Sequence, residues 1–154
     1  MNISKVIIKT ISTIFCVGYL PLPGTAASLV GIFLFYLIKG NTLIYTIYTS
    51  LFILLGFLVS GKAEGIFHKK DAGYIVIDEV SGMLLSLAFI PYDTKLIIIA
   101  FCLFRILDSL KPWPAGRLQE LRGSMGIMSD DIVAALYTNI ILQVVLRLAS
   151  FKTS

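Results

Sequence analysis

Apolar residues fall into six blocks, at about 3–19, 25–38, 42–60, 75–90, 95–109 and 131–149, separated by short stretches rich in glycine, proline and charge. Block length, flanking charge and this punctuation predict helices rather than strands. Only block 42–60 is free of charge over a full span. As a helix it would reach about 28 Å, close to the hydrocarbon thickness of a bilayer. The other blocks are shorter or carry charge at one end, and they predict tilted, partly re-entrant or interfacial helices. No repeat, low-complexity tract or long linker interrupts the chain, so residues 1–154 read as a single domain. The expected architecture is all-α: a small polytopic membrane helical bundle with short, partly re-entrant helices.

Composition supports lipid as the solvent. A soluble domain averages about 45–50% apolar and about 25% charged residues. This chain is 57% hydrophobic and 14% charged, with a mean hydropathy of +0.90. The net charge of +4 comes from scattered residues, with no basic run beyond Lys69-Lys70. That pattern argues against a nucleic-acid partner and fits contact with anionic lipid. No protein partner is implied. Cys16 and Cys102 lie inside apolar blocks and read as buried, inert thiols. No C-x-x-C is present, which sets aside disulfide and zinc readings. Met1 to Tyr19 lacks an A-x-A-like cleavage site and reads as a retained segment.

Threading the blocks alternately through a membrane puts 61–74 and 110–130 on one side. Glu64, Asp71, Asp78, Glu79, Asp108, Glu120, Asp130 and Asp131 then gather at that face, and only Asp93, in the turn Pro91-Tyr92-Asp93-Thr94, is opposite. Lys62, Lys69, Lys70, Lys111, Arg117 and Arg122 share the acidic face, and the positive-inside bias makes it cytosolic. Charges collect in loops of any membrane protein, which accounts for Lys69 and Glu120. Asp78, Glu79, Arg105 and Asp108 instead sit within or at the ends of apolar blocks, where ionisable groups are costly and usually functional.

Four clusters converge there. Pro21-Leu22-Pro23-Gly24-Thr25 leads into a helix that Thr25 can cap, and a helix N-terminus offers free N–H groups to an anion. Asp78-Glu79 opens the next short block; neighbouring side chains point about 100° apart on a helix, so the two need not share a ligand. Arg105, Asp108 and Lys111, three residues apart, lie on one broad face before Pro112-Trp113-Pro114 ends the helix, and a structural salt-bridge ladder would read the same way. Gly123-Ser124-Met125-Gly126-Ile127-Met128-Ser129-Asp130-Asp131 reads as a flexible segment delivering two acids to a helix start. Capping by Ser129 or Asp130 explains one of them, not both.

Several carboxylates with two cations suit Mg²⁺, which is held by hard oxygen ligands together with substrate phosphate. Arg and Lys then neutralise phosphoryl charge. At a membrane surface this combination points to phosphoryl chemistry on a lipid. Other designs are set aside. There is no phosphate-binding G-x-x-x-x-G-K-[ST] loop. Arg105 follows Cys102 too closely for a cysteine phosphatase, and no aspartate pair has D-x-D spacing. His68, the only histidine, sits beside Lys69 and reads as solvated.

The blocks PGT (23–25), IVIDEVSGM (75–83), FRILDSLKPWP (104–114) and GSMGIMSDDIVAA (123–135) resemble, in order and spacing, the signature blocks of the phosphatidylglycerophosphatase A family. The resemblance covers nearly the whole chain beyond the first block. It implies Mg²⁺-dependent hydrolysis of phosphatidylglycerophosphate to phosphatidylglycerol and inorganic phosphate by an α-helical domain in a bacterial inner membrane; the charge distribution is what makes the site face the cytosol. It makes Asp78, Glu79, Asp108, Asp130 and Asp131 the family's acidic positions and Arg105 and Lys111 its basic ones. Glu79, Asp108, Asp130 and Asp131 are the expected metal ligands. Asp78, Glu79, Asp108 and Asp131 are the expected catalytic set, with Arg105, Lys111 and Thr25 at the phosphate. The expected nucleophile is a metal-activated water, with an aspartyl-phosphate intermediate as the alternative.

Two rivals are weighed against this. A CDP-alcohol phosphatidyltransferase also gathers aspartates and Mg²⁺, but at spacings of three and four that the adjacent Asp130-Asp131 lacks. A small cation transporter would ring a pore with acids, whereas these gather at one face beside phosphate-type cations.

Overall fold

The computed structural model describes residues 3–38 and 40–152, and their regular secondary structure is all helical, without strands among the described residues. The helices are α1 (Ile3–Ser12), α2 (Pro23–Leu37), α3 (Thr42–Phe67), α4 (Ile77–Ser86), α5 (Thr94–Leu110), α6 (Ala115–Gln119) and α7 (Ser124–Lys152), with a 3-10 turn at Val17–Tyr19. The helices α3 and α7 are long and apolar enough to cross a membrane. At 26 and 29 residues they would extend about 39 and 43 Å. Their outer faces carry Leu51, Leu54 and Leu58, and Ile140, Val144 and Leu148, all exposed. Such contiguous apolar surface suits lipid rather than water.

The short helix α4 is the hub. It packs against α7, α2, α3 and α5, and Val80, Met83 and Leu84 are fully buried. In lipid there is no hydrophobic drive between helices, so association depends on close packing and interhelical hydrogen bonds. Gly82 provides the closeness: a Cβ there would stand 2.7 Å from the Phe104 ring of α5. Ten residues span only about 15 Å, so α4 ends inside the bundle and its last carbonyls need donors. Asn139 of α7 supplies them, donating Nδ2–H to Ser86 O at 3.1 Å and to Ala88 O at 2.7 Å. Tyr45 of α3 donates its hydroxyl to Leu84 O.

Several boundaries differ from the sequence reading. Block 3–19 is broken: Ile14, Phe15 and Cys16 all adopt positive φ. One tertiary contact that holds this bend is a bond from Val76 N–H to Ser12 O at 2.9 Å. The stretch 61–74 is half helix, because α3 continues to Phe67 and ends only at His68, which is exposed and left-handed. The stretch 110–130 contains α6 and the first two turns of α7. Cys16 and Cys102 are exposed, not buried. An apolar block in a thin bundle has a lipid-facing side, and Cys102 lies on it with Ile98, Ile99 and Ile106.

Candidate active site

The first turns of α2 and α4, the last turn of α5 and the second turn of α7 meet at one end of the bundle. Asp78 and Glu79 come from α4, Arg105 and Asp108 from α5, and Asp130 and Asp131 from α7. One oxygen each from Asp78, Glu79 and Asp131 lies within 4.8 Å of the others, and so does one each from Asp108, Asp130 and Asp131. Asp78 and Glu79 therefore do converge, despite their angular separation on the helix. Asp78 Oδ1 accepts the Glu79 N–H at 3.1 Å.

The pair Asp130-Asp131 does not begin a helix. Gly123, at φ +64°, precedes a helix that starts at Ser124, so the two acids stand in its second turn. Neither they nor Ser129 are caps, and the structural explanation for one of the acids falls away. Both are only 4% exposed.

The cations hold the edges. Arg105 Nη1 lies 2.9 Å from Asp108 Oδ2, off the axis of a good hydrogen bond. The salt-bridge ladder that the spacing also allowed stops there. Lys111 turns out of the helix at φ 47° and its ammonium pairs with Asp130 Oδ2 instead. Thr25 does not cap α2. Leu22 precedes the helix without a side-chain cap and Pro23 occupies its first turn, leaving the Gly24 and Thr25 N–H groups uncapped at the site. Thr25 itself is half-buried beside Gly24.

Gly24, which the sequence marks only as part of the PGT block and the turn before α2, gains a role of its own at the site. A Cβ there would stand 2.8 Å from Arg105 Nη2 and 2.8 Å from Glu79 Oε1. Both are tips of flexible side chains, so Gly24→Ala is expected to displace the site rather than unfold the protein. Hydrolysis should fall about tenfold, or about 1.4 kcal/mol of barrier. Because the displaced atoms are the ends of flexible side chains, the melting temperature should stay near that of the wild type. Unchanged kinetics would detach α2 from the site.

Glu79 Oε2, Asp130 Oδ1 and Asp131 Oδ2 are buried without a hydrogen-bond partner. Orphaned buried carboxylate oxygens are costly, and charges buried this way are normally paired or coordinate metals. Hard, anionic, convergent donors are the set that Mg²⁺ takes. These residues fit a divalent cation.

The family description Phosphatidylglycerophosphatase A matches residues 10–146. The chain belongs to the phosphatidylglycerophosphatase A family. It is 39% identical over 125 residues to the phosphatidylglycerophosphatase A of Haemophilus influenzae, covering 79% of this chain and 77% of that protein. It is 37% identical over 115 residues to the Escherichia coli K12 protein of the same name, covering 73% of this chain and 67% of that one. A Bacteroides thetaiotaomicron relative, 33% identical over 144 residues, covers 87% of this chain and 90% of its own length, and carries the provisional name phosphatidylinositol-3-phosphatase. No solved structure matches. The acidic and basic positions of the site all lie inside the stretch matched to phosphatidylglycerophosphatase A.

Proposed function

We propose that this chain hydrolyses phosphatidylglycerophosphate to phosphatidylglycerol and inorganic phosphate with the help of Mg²⁺, at the cytosolic face of a bacterial inner membrane. The observation that carries this reading is the orphaned, buried carboxylate cluster flanked by Arg105 and Lys111 at one end of a lipid-facing helix bundle.

Glu79, Asp108, Asp130 and Asp131 are the ligands in this reading. A divalent cation, when bound, screens phosphoryl charge and lowers the pKa of a bound water. Arg105 Nη1 lies beside Asp108 without a hydrogen-bond partner, and in this reading its guanidinium takes the phosphoryl group, where it can grip two oxygens at once. Lys111 adds a point charge. The uncapped Gly24 and Thr25 N–H groups offer the positive end of the α2 dipole to the same anion. Water attacks phosphorus, the bond from phosphorus to the glycerol oxygen breaks, and that oxygen leaves as an alcohol with a proton. The site's carboxylates take the proton that the water gives up and pass it to the departing glycerol oxygen. A site at the end of the bundle suits an ester at the depth of a lipid headgroup, which supports this reading.

The test is purified protein in detergent given phosphatidylglycerophosphate, phosphatidylinositol 3-phosphate and phosphatidate in parallel. Inorganic phosphate should be released fastest from phosphatidylglycerophosphate. Preference for the inositol lipid would move the assignment to the substrate in the Bacteroides protein's name, and phosphate release from none would sink the phosphatase reading.

The cytosolic placement rests on the lysines and arginines that share the acidic end. In a variant without Cys16 and Cys102, single cysteines at Lys70 and Arg117 should be shielded from an impermeant thiol reagent outside the cell. One at Asp93 should react. The reverse pattern would invert the topology.

A further inference from the structure

Asp131 belongs to both carboxylate groups of the site. Asp78 and Glu79 face it from α4, and Asp108 and Asp130 face it from α5 and from the preceding residue of α7. We propose that the site holds two divalent cations, one among Asp78, Glu79 and Asp131 and one among Asp108, Asp130 and Asp131, with the Asp131 carboxylate bridging them. The inference rests on the metal-dependent reading above and adds to it the number of ions and the bridging residue.

Three observations support two ions over one. The first is the orphaned atoms. Unpartnered buried oxygens occur in both groups: Glu79 Oε2 in the first, Asp130 Oδ1 in the second, and Asp131 Oδ2 in the shared residue. One ion seated in either group would leave an orphan in the other. The second is the division of labour within Asp130. Lys111 occupies its Oδ2 and leaves Oδ1 for a ligand, so the lysine orients the carboxylate without competing for it.

The third is charge. Among the described residues the five acids Asp78, Glu79, Asp108, Asp130 and Asp131 face only Arg105 and Lys111 as cations, a formal excess of three negative charges. One divalent cation leaves the site anionic, repelling a phosphomonoester dianion. Only a second makes it cationic before the substrate arrives. Two cations held by these residues would supply charge stabilisation to both the attacking and the leaving oxygen of a displacement at phosphorus.

The experiment uses the full chain in detergent and Mn²⁺ as the probe, with free Mn²⁺ read by electron paramagnetic resonance. Two Mn²⁺ should bind per chain, and the bound pair should give a spin-coupled spectrum. Asp78→Asn should bind one fewer ion and lose the coupling. Asp131→Asn should abolish coupling and weaken both sites at least tenfold. Asp93→Asn should match the wild type. Melting curves check that each variant is folded. One uncoupled Mn²⁺ per chain, with phosphate release intact, would overturn the two-ion inference and leave the metal-dependent reading standing. No bound Mn²⁺, with phosphate release unaffected by chelation, would overturn both.

Discussion

Asp131→Asn is expected to lower the rate of phosphate release by about 10²-fold or more, equivalent to roughly 2.7 kcal/mol of barrier. The amide preserves the shape of the side chain and removes its charge. Asp131 is almost fully buried and stands where both carboxylate groups overlap. It is not at a helix start, so no capping role competes for the explanation. Glu79→Gln and Asp108→Asn should fall into the same range. Asp93→Asn should stay near wild type. Asp93 caps α5 by accepting the Lys95 and Leu96 N–H groups at 2.8 and 3.1 Å, and asparagine caps about as well.

Stability separates a functional Asp131 from a structural one. Its carboxylate lies among Glu79, Asp108 and Asp130 without a cation of its own. Removing that charge should therefore raise the melting temperature of metal-free protein, by relieving like-charge repulsion. With metal present the variant should gain less than wild type does. A variant that melts lower in the absence of metal, yet hydrolyses lipid normally, would make Asp131 a structural residue.

Exhaustive chelation is expected to abolish turnover, and Mg²⁺ added back should restore it. Without the cation, nothing neutralises the formal negative excess at the site, and Arg105 and Lys111 remain engaged with Asp108 and Asp130. Stability should follow the same ligand. A ligand at about 100 times its Kd stabilises the folded state by about 2.7 kcal/mol, so wild-type protein should melt measurably higher with Mg²⁺ than with chelator. Full turnover after chelation, confirmed by metal analysis, would reject the metal-dependent mechanism.

Much of the site was legible because ionisable residues in apolar blocks have few bland explanations. Asp78, Glu79, Arg105 and Asp108 stand out this way, Asp130 and Asp131 stand out as one acid more than a cap needs, and the structure brings all six together. What the sequence hid was mutual placement. An angle of 100° around a single helix cannot show that Asp131 arrives from α7 within reach of both Asp78 and Glu79. Gly123 and Gly126 looked like a flexible segment. Gly123 is indeed a left-handed stop, but Gly126 lies inside α7, where a Cβ would meet Leu121 O at 2.2 Å. The small residue there serves close packing, and the helix start shifts from the acids to Ser124.

The helical class and the bundle followed from block length and punctuation. The break at residues 14–16 did not, since Ile14 and Phe15 have no local preference for left-handed backbone; tertiary contacts hold it, among them the Val76 bond to Ser12 and the packing of Ile14 on both apolar clusters. The cysteines were misjudged for a related reason. Apolar runs signal burial in a soluble core, but in a thin lipid-facing bundle the same run has an outward side.

The measurement that tests the central claim most directly is the product balance from phosphatidylglycerophosphate in ¹⁸O-labelled water, using purified protein with Mg²⁺. The account predicts one phosphatidylglycerol and one inorganic phosphate for each substrate consumed, with the label in the phosphate and none in the glycerol hydroxyl. Label in the glycerol hydroxyl, or substrate consumed without inorganic phosphate, would contradict it.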